Sequence, residues 1–375
     1  MSFKRKNVAI VPIGAPSSLP QSAPASVPVT HQPITLAAGV RPSAIDGRLT
    51  TSTGTASLDE TLAGHSGIPL GTSLLLQEST TTDFGGVVLR YFASEGMVQG
   101  HQVHVVGVPE VWKTSLPGLA AKQESSSKKA QPNQGSDERM KIAWRYESLA
   151  NRNGVLPELT KNNSSFCHKF DLNKRLESSA IKGQFIAYPL PLSGGLVSLI
   201  SQIRSKINSG APNVVHRIII PNFLIPTSYP PSSCRPSESL QFLHGLRAIL
   251  RQFPDRTAAI MTLSADLFPP DTGLVKWMEA LSDGVAHLVP TQSEIVNPEE
   301  TAETIQGYFT MRRLPIFNEK GGGLEKSSFG ETLSFKLSSS SGLVIAPLAL
   351  PPAVEDEPAP ADHSHSKNDP KKLEF

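Results

Sequence analysis

Residues 71–92 read GTSLLLQESTTTDFGGVVLRYF, and this stretch limits the fold more than any other. The run from Leu74 to Gln77, with three leucines in succession, predicts a buried strand. A short polar loop follows. From about Phe84 the spacing of Val87, Val88, Tyr91, Phe92 and Val98 predicts a helix, which Gly100 stops. Strand, loop and helix in this order are the layout of a phosphate-binding loop. Such a loop reads G-x-x-x-x-G-K-[ST], and here neither its lysine nor its glycines are in place.

The rest of the chain alternates in the same way. Strand-like runs fall at 74–78, 102–106, 166–171, 215–220, 257–263 and 285–289. Amphipathic helices are expected between them at 84–98, 195–207, 239–253 and 272–282. This alternation predicts βαβ units and an α/β fold with a mostly parallel central sheet flanked by helices. After residue 305 only strands remain, in GYFTMRRLP, GETLSFKL and GLVIAPL, which predicts a C-terminal antiparallel extension. Residues 1–44, rich in proline and serine, are expected to be a disordered arm, and 351–375 a disordered acidic tail. Residues 45–350 form the domain between them, interrupted by a low-complexity insertion at 121–138.

Charge and cysteines exclude several classes. The chain carries +2, with the basic arm at +4 and the tail at −3, so the body is nearly neutral. Any nucleic-acid contact must then use a local patch. Cys167 and Cys234 are too few for a four-cysteine zinc site or a disulfide framework. His363 and His365 read as solvated tail residues. No apolar run is long enough to span a bilayer, and the N-terminus lacks a signal-peptide core. A soluble protein of the cytoplasm and nucleus is expected.

The run GTASLDETLAGHSGIPLGTSLLLQE at 54–78 resembles the entry to the core ATPase of the RecA family, whose similar LDxxLxGGxPxG run leads into the first strand. On that pattern the first loop glycine falls at Glu78, the last at Asp83, the lysine at Phe84 and the hydroxyl at Gly85. Glycines let backbone N–H groups curl around phosphate oxygens, lysine neutralises them, and a hydroxyl holds magnesium. Two carboxylates and an aromatic stand there instead. The Thr80–Thr82 hydroxyls or Asp83 are left to cap the helix. The strand HRIII, where a metal-binding aspartate would follow, ends in Pro221 and Asn222. An ATPase acting alone is not expected.

A RecA-like core without its phosphate loop, followed by KIAWRYE (141–147) and FCHKFDLNKRL (166–176), resembles the Elongator complex protein 4 family over most of 45–350. YFASEGMVQGH (91–101), SLPG (115–118), AWRY (143–146) and F-D-L (170–172) carry the resemblance. It implies a non-catalytic subunit of a heterohexameric ring, with two sister RecA-like subunits and the large catalytic and scaffold subunits as partners. In that picture the ring binds tRNA and supports wobble-uridine modification. No cofactor or metal is implied for this chain, and no membrane. Two other readings stay open: a diverged ATPase with nucleotide held between subunits, and a purely structural adaptor.

The loops after the central strands, 222–238 and 264–273, are expected to face the pore of such a ring. The first offers Tyr229 and Arg235, an aromatic and a cation suited to single-stranded RNA. Arg312 and Arg313 end a strand and are candidate interface or finger arginines. Neighbouring strand residues point to opposite faces, so at most one could serve, and a surface salt bridge is the plainer role. His101 and His104 are set on opposite faces and form no metal pair. Trp112, Trp144 and Trp277 read as core or interface anchors.

Overall fold

The computed structural model describes residues 36–62, 66–79, 82–120, 165–191, 195–291, 305–316, 324–325, 333–339 and 342–348. The arm up to residue 35, Thr80, Thr81, the insertion at 121–138, Trp144 with the AWRY segment, and the tail with His363 and His365 lie outside them.

A small three-stranded sheet opens the described chain. It is made of β1 (Val40–Pro42), β2 (Leu49–Thr51) and β3 (Ile68–Pro69), with helix α1 (Ala56–Thr61) between the last two. β1 lies inside the segment 1–44 assigned to the arm, because Val40 and Arg41 pair with Thr51 and Thr50. Next come β4 (Thr72–Glu78), α2 (Phe84–Gln99) and β5 (Gln102–Val106). A hairpin of β6 (Pro117–Leu119) and β7 (Phe170–Arg175) stands apart from the main sheet. The chain continues with β8 (Gln184–Tyr188), α3 (Val197–Ser209), β9 (His216–Ile220) and α4 (Pro236–Gln252). Then follow β10 (Thr257–Ser264), α5 (Gly273–Leu281) and β11 (Gly284–Pro290). Strands β12 (Gly307–Leu314), β13 (Leu324–Glu325), β14 (Leu333–Ser338) and β15 (Gly342–Pro347) close the fold.

The main sheet runs β15-β14-β12-β11-β4-β10-β9-β5-β8, with β13 paired to β12. From β11 to β8 every pairing is parallel, and beyond β11 every one is antiparallel. Counted from β4, the parallel strands lie in the order third, second, fourth, fifth, first, sixth. That is the RecA-type order, and β4 takes the place of the phosphate-loop strand. The expected core strand at 166–171 is corrected. The edge strand of the core is β8, and Phe170 opens the separate hairpin. Phe166–His168 instead run against α2, where His168 donates its backbone N–H to Glu95 at 2.9 Å.

Both faces of the sheet are covered, which is why β4, β9 and β10 are apolar without alternation. One face packs Leu199 and Ile203 of α3, Phe242 and Leu246 of α4, and Val275 and Met278 of α5. The other packs α2 through Val88, Leu89, Phe92 and Met97, with Leu58 and Ile68 from the opening segment. Arg217 of β9 is fully buried beneath α2. Its guanidinium donates to Ser52 O (2.8 Å), Phe92 O (2.9 Å), Thr51 Oγ1 (2.8 Å) and His101 Nδ1 (3.0 Å). It therefore pins the opening segment to the sheet.

Candidate functional site

The β4–α2 junction is where a RecA-type fold holds phosphate, and here the chain fills it itself. Glu78 ends β4 and is only 4 % exposed. Its Oε2 accepts the Gly85 N–H at 2.9 Å, within the first turn of α2. A carboxylate thus occupies the position where helix N–H groups and the helix dipole attract an anion. A Cβ at Gly85 would meet Glu78 Oε1 at 2.7 Å and Thr262 Cγ2 at 2.8 Å, so glycine is needed there for the close approach. Burial raises the Glu78 carboxyl to about 7. The Gly85 N–H pulls it down, and nearby Asp83 pushes it further up.

Asp83 does not cap α2 with its side chain. It is exposed and binds Arg90 at 2.9 Å. Of the threonines expected to cap, Thr82 instead directs its hydroxyl back to Glu78 Oε2 and Ser79 O. The cap is supplied from the preceding strand, by a residue that sequence reasoning assigned only as a lost glycine. Phe84 turns away from the loop and packs edge-on against Phe335 of β14, centroids 4.8 Å apart. Phe84 is therefore a contact to the antiparallel extension. At the end of β9, Asn222 takes a left-handed backbone (φ 45°), and its N–H binds Thr262 Oγ1 at 2.8 Å.

The two loop residues proposed for RNA separate. Tyr229 is 3 % exposed, with its ring edge-on to Phe223 at 5.8 Å, so its faces are not offered to a base. Arg235 is exposed at the N-cap of α4.

Arg312 and Arg313 converge instead of diverging. A bulge opposite Val285 and Ala286 makes Arg312 the extra residue of β12, and the ordinary alternation of faces fails there. Arg313 donates to Glu279 O at 2.7 Å, and Arg312 lies 3.9 Å from the Glu279 carboxylate. Both arginines serve the C-terminal end of α5.

His101 and His104 do lie on different faces. His101 joins Arg217, whereas His104 bridges Tyr188 and His216 at 2.9 Å each. Among the tryptophans, Trp112 stacks on Phe185, and Trp277 is 62 % exposed on α5. Both cysteines are free.

Among the described residues no group of three or more His, Cys, Asp or Glu side chains could hold a metal, and no helix is long and apolar enough to cross a membrane.

A family model described as PAXNEB protein matches residues 33–375. Elongator complex protein 4 of Schizosaccharomyces pombe is 30 % identical over 372 residues, covering 95 % of this chain and 94 % of that protein. Elongator complex protein 4 of Saccharomyces cerevisiae is 29 % identical, over 76 % of this chain and 70 % of its own length. The human protein of the same name is 28 % identical, over 85 % and 81 %. Among solved structures, a KaiC-like protein from Pyrococcus horikoshii OT3 is similar over 80 % of this chain and 99 % of its own, at 14 % identity and a TM-score of 0.40. That overlap is too loose to bear on the fold, which rests on the strand order. The match over nearly the whole chain and the near-complete coverage of the fission-yeast relative place this chain in the PAXNEB protein family, that of Elongator complex protein 4.

Proposed function

We propose that this chain is a non-catalytic subunit of the Elongator complex. In this reading it forms a ring with two sister RecA-like subunits, and the ring binds tRNA and supports wobble-uridine modification by the large subunits. Kinship to Elongator complex protein 4 supports the complex. The observation that carries the non-catalytic part is the Glu78 carboxylate on the Gly85 N–H. A triphosphate entering this junction would displace a buried side chain and meet Asp83, with Phe84 where a cation is needed.

ATP turnover by the purified chain, alone and with its sister subunits, tests this. The expected result is no hydrolysis by the chain alone. Hydrolysis by the chain alone that disappears in Thr82→Ala or Glu78→Ala would overturn it and favour a diverged ATPase.

A further inference from the structure

We propose that the β6–β7 hairpin carries an RNA-backbone site, a recess where Lys174 and Arg175 hold a phosphate and Glu177 accepts from the neighbouring ribose 2′-hydroxyl.

Three of the sequence motifs meet at this hairpin. YFASEGMVQGH supplies the end of α2, SLPG leads into β6, and F-D-L opens β7. The Tyr91 hydroxyl donates to Phe170 O and the Ser94 hydroxyl to Pro117 O, both at 3.1 Å, so both strands are tied to α2. Pro117 lies opposite Arg175, but Gly118 lies opposite Asp171, and residues 172–174 therefore bulge out of the ladder. Leu172 leaves the hairpin and donates its N–H to Ser339 O at 2.8 Å. Neighbouring strand residues ordinarily face opposite ways, and a bulge ends that alternation. Lys174 and Arg175 thus line one recess of about 560 Å³, together with Leu119, Ala120, Glu177 and Ala180. Gly118 makes room for it. A Cβ there would meet Arg175 O at 2.5 Å and Lys174 Cβ at 3.0 Å.

The side chains define the occupant. Arg175 Nη1 donates to Ser115 O at 3.1 Å, which orients the guanidinium and leaves its other N–H groups for an anion. Lys174 and Arg175 are exposed, and neither forms an ion pair among the described residues. In a chain whose body is nearly neutral, this is the local patch that phosphate requires. Glu177 accepts from the Ser179 hydroxyl at 3.2 Å and has no cation partner among the described residues. A carboxylate at this place repels an acidic peptide and is satisfied by a ribose hydroxyl, which DNA lacks. No aromatic lines the recess, so no base is stacked and the contact is independent of sequence.

The proposal rests on the reading that the ring binds tRNA. Its test is a tRNA titration of the ring assembled with the two sister subunits. Lys174→Gln combined with Arg175→Gln should weaken binding by about tenfold at low salt and lower the slope of log affinity on log salt by about two. Lys174→Arg should bind as the unmodified chain does. If the double variant does not fold, Lys174→Glu alone should weaken binding by severalfold, most at low salt. Glu177→Ala should raise affinity for a DNA hairpin and lower the preference for the RNA hairpin of the same sequence by severalfold. A ring that binds tRNA with unchanged affinity and slope in the double variant, or with unchanged preference in Glu177→Ala, would overturn the proposal and leave the ring intact. Unchanged tRNA affinity with lost binding of polyglutamate would overturn it in favour of an acidic protein segment. A ring that binds no tRNA would refute both readings.

Discussion

Glu78→Gln is the most informative single substitution. Glutamine keeps a carbonyl oxygen for the Gly85 N–H and removes the charge. Burial raises the Glu78 pKa from 4.5 to about 7, so between those values the folded chain holds a proton that the unfolded chain has released. The stability this proton confers is complete below pH 4.5 and is lost as pH rises through about 7. A shift of that size corresponds to about 3 kcal/mol once the carboxylate is fully ionised. For a domain this large that is about 5 °C in melting temperature. Melting curves of both proteins by differential scanning fluorimetry, from pH 5 to 8.5, read the effect. The two should melt together at pH 5, and the variant should melt higher by about 5 °C at pH 8.5. Other titrating groups cancel, because the comparison is made at each pH. A constant difference, or a wild type that gains on the variant at high pH, would refute a buried carboxylate at this junction.

Five further substitutions, at four residues, give independent tests. Arg217→Ala should cost about 3–5 kcal/mol, and Arg217→Lys nearly as much, because an ammonium cannot reproduce a fork that serves four acceptors; urea melts would show it. Arg313→Ala should cost about 1–2 kcal/mol by freeing carbonyls at the end of α5, whereas Arg312→Ala should change stability by less than about 0.5 kcal/mol; equal effects in denaturation would contradict the bulge geometry. Tyr229→Phe should leave tRNA affinity unchanged and stability equal or slightly higher, since the buried hydroxyl has no partner among the described residues. A clear loss of tRNA binding would return Tyr229 to the interface.

The layered fold was legible because its signals are long and periodic. The apolar runs at β4, β9 and β10 and the amphipathic helices α3 and α4 mark strands buried on both faces and helices that cover them. β8 was missed because QFIAY is short and shows no apolar–polar alternation, although Gly183 and Pro189 bound it. The run at 166–171 was misplaced because its apolar residues serve α2 and the hairpin. The site was legible only in part. The strand, loop and helix of the β4–α2 junction could be read from the pattern, but the use of Glu78 as the cap could not. It depends on a contact between a strand end and a helix start that spacing does not encode. The burial of Tyr229 was not legible for a related reason: a proline-rich loop looks exposed in sequence, yet this ring packs edge-on against Phe223. The bulge at Arg312 is a one-residue register change, invisible until the partner strand is known.

A tRNA titration by fluorescence anisotropy at two salt concentrations, with the chain alone and with the chain co-purified with its two sister subunits, decides whether tRNA recognition belongs to the ring. Tight, salt-weakened binding by the assembly and little by the chain alone is the expected result. Equal binding by the lone chain would contradict it, because tRNA recognition would then belong to a site outside any ring.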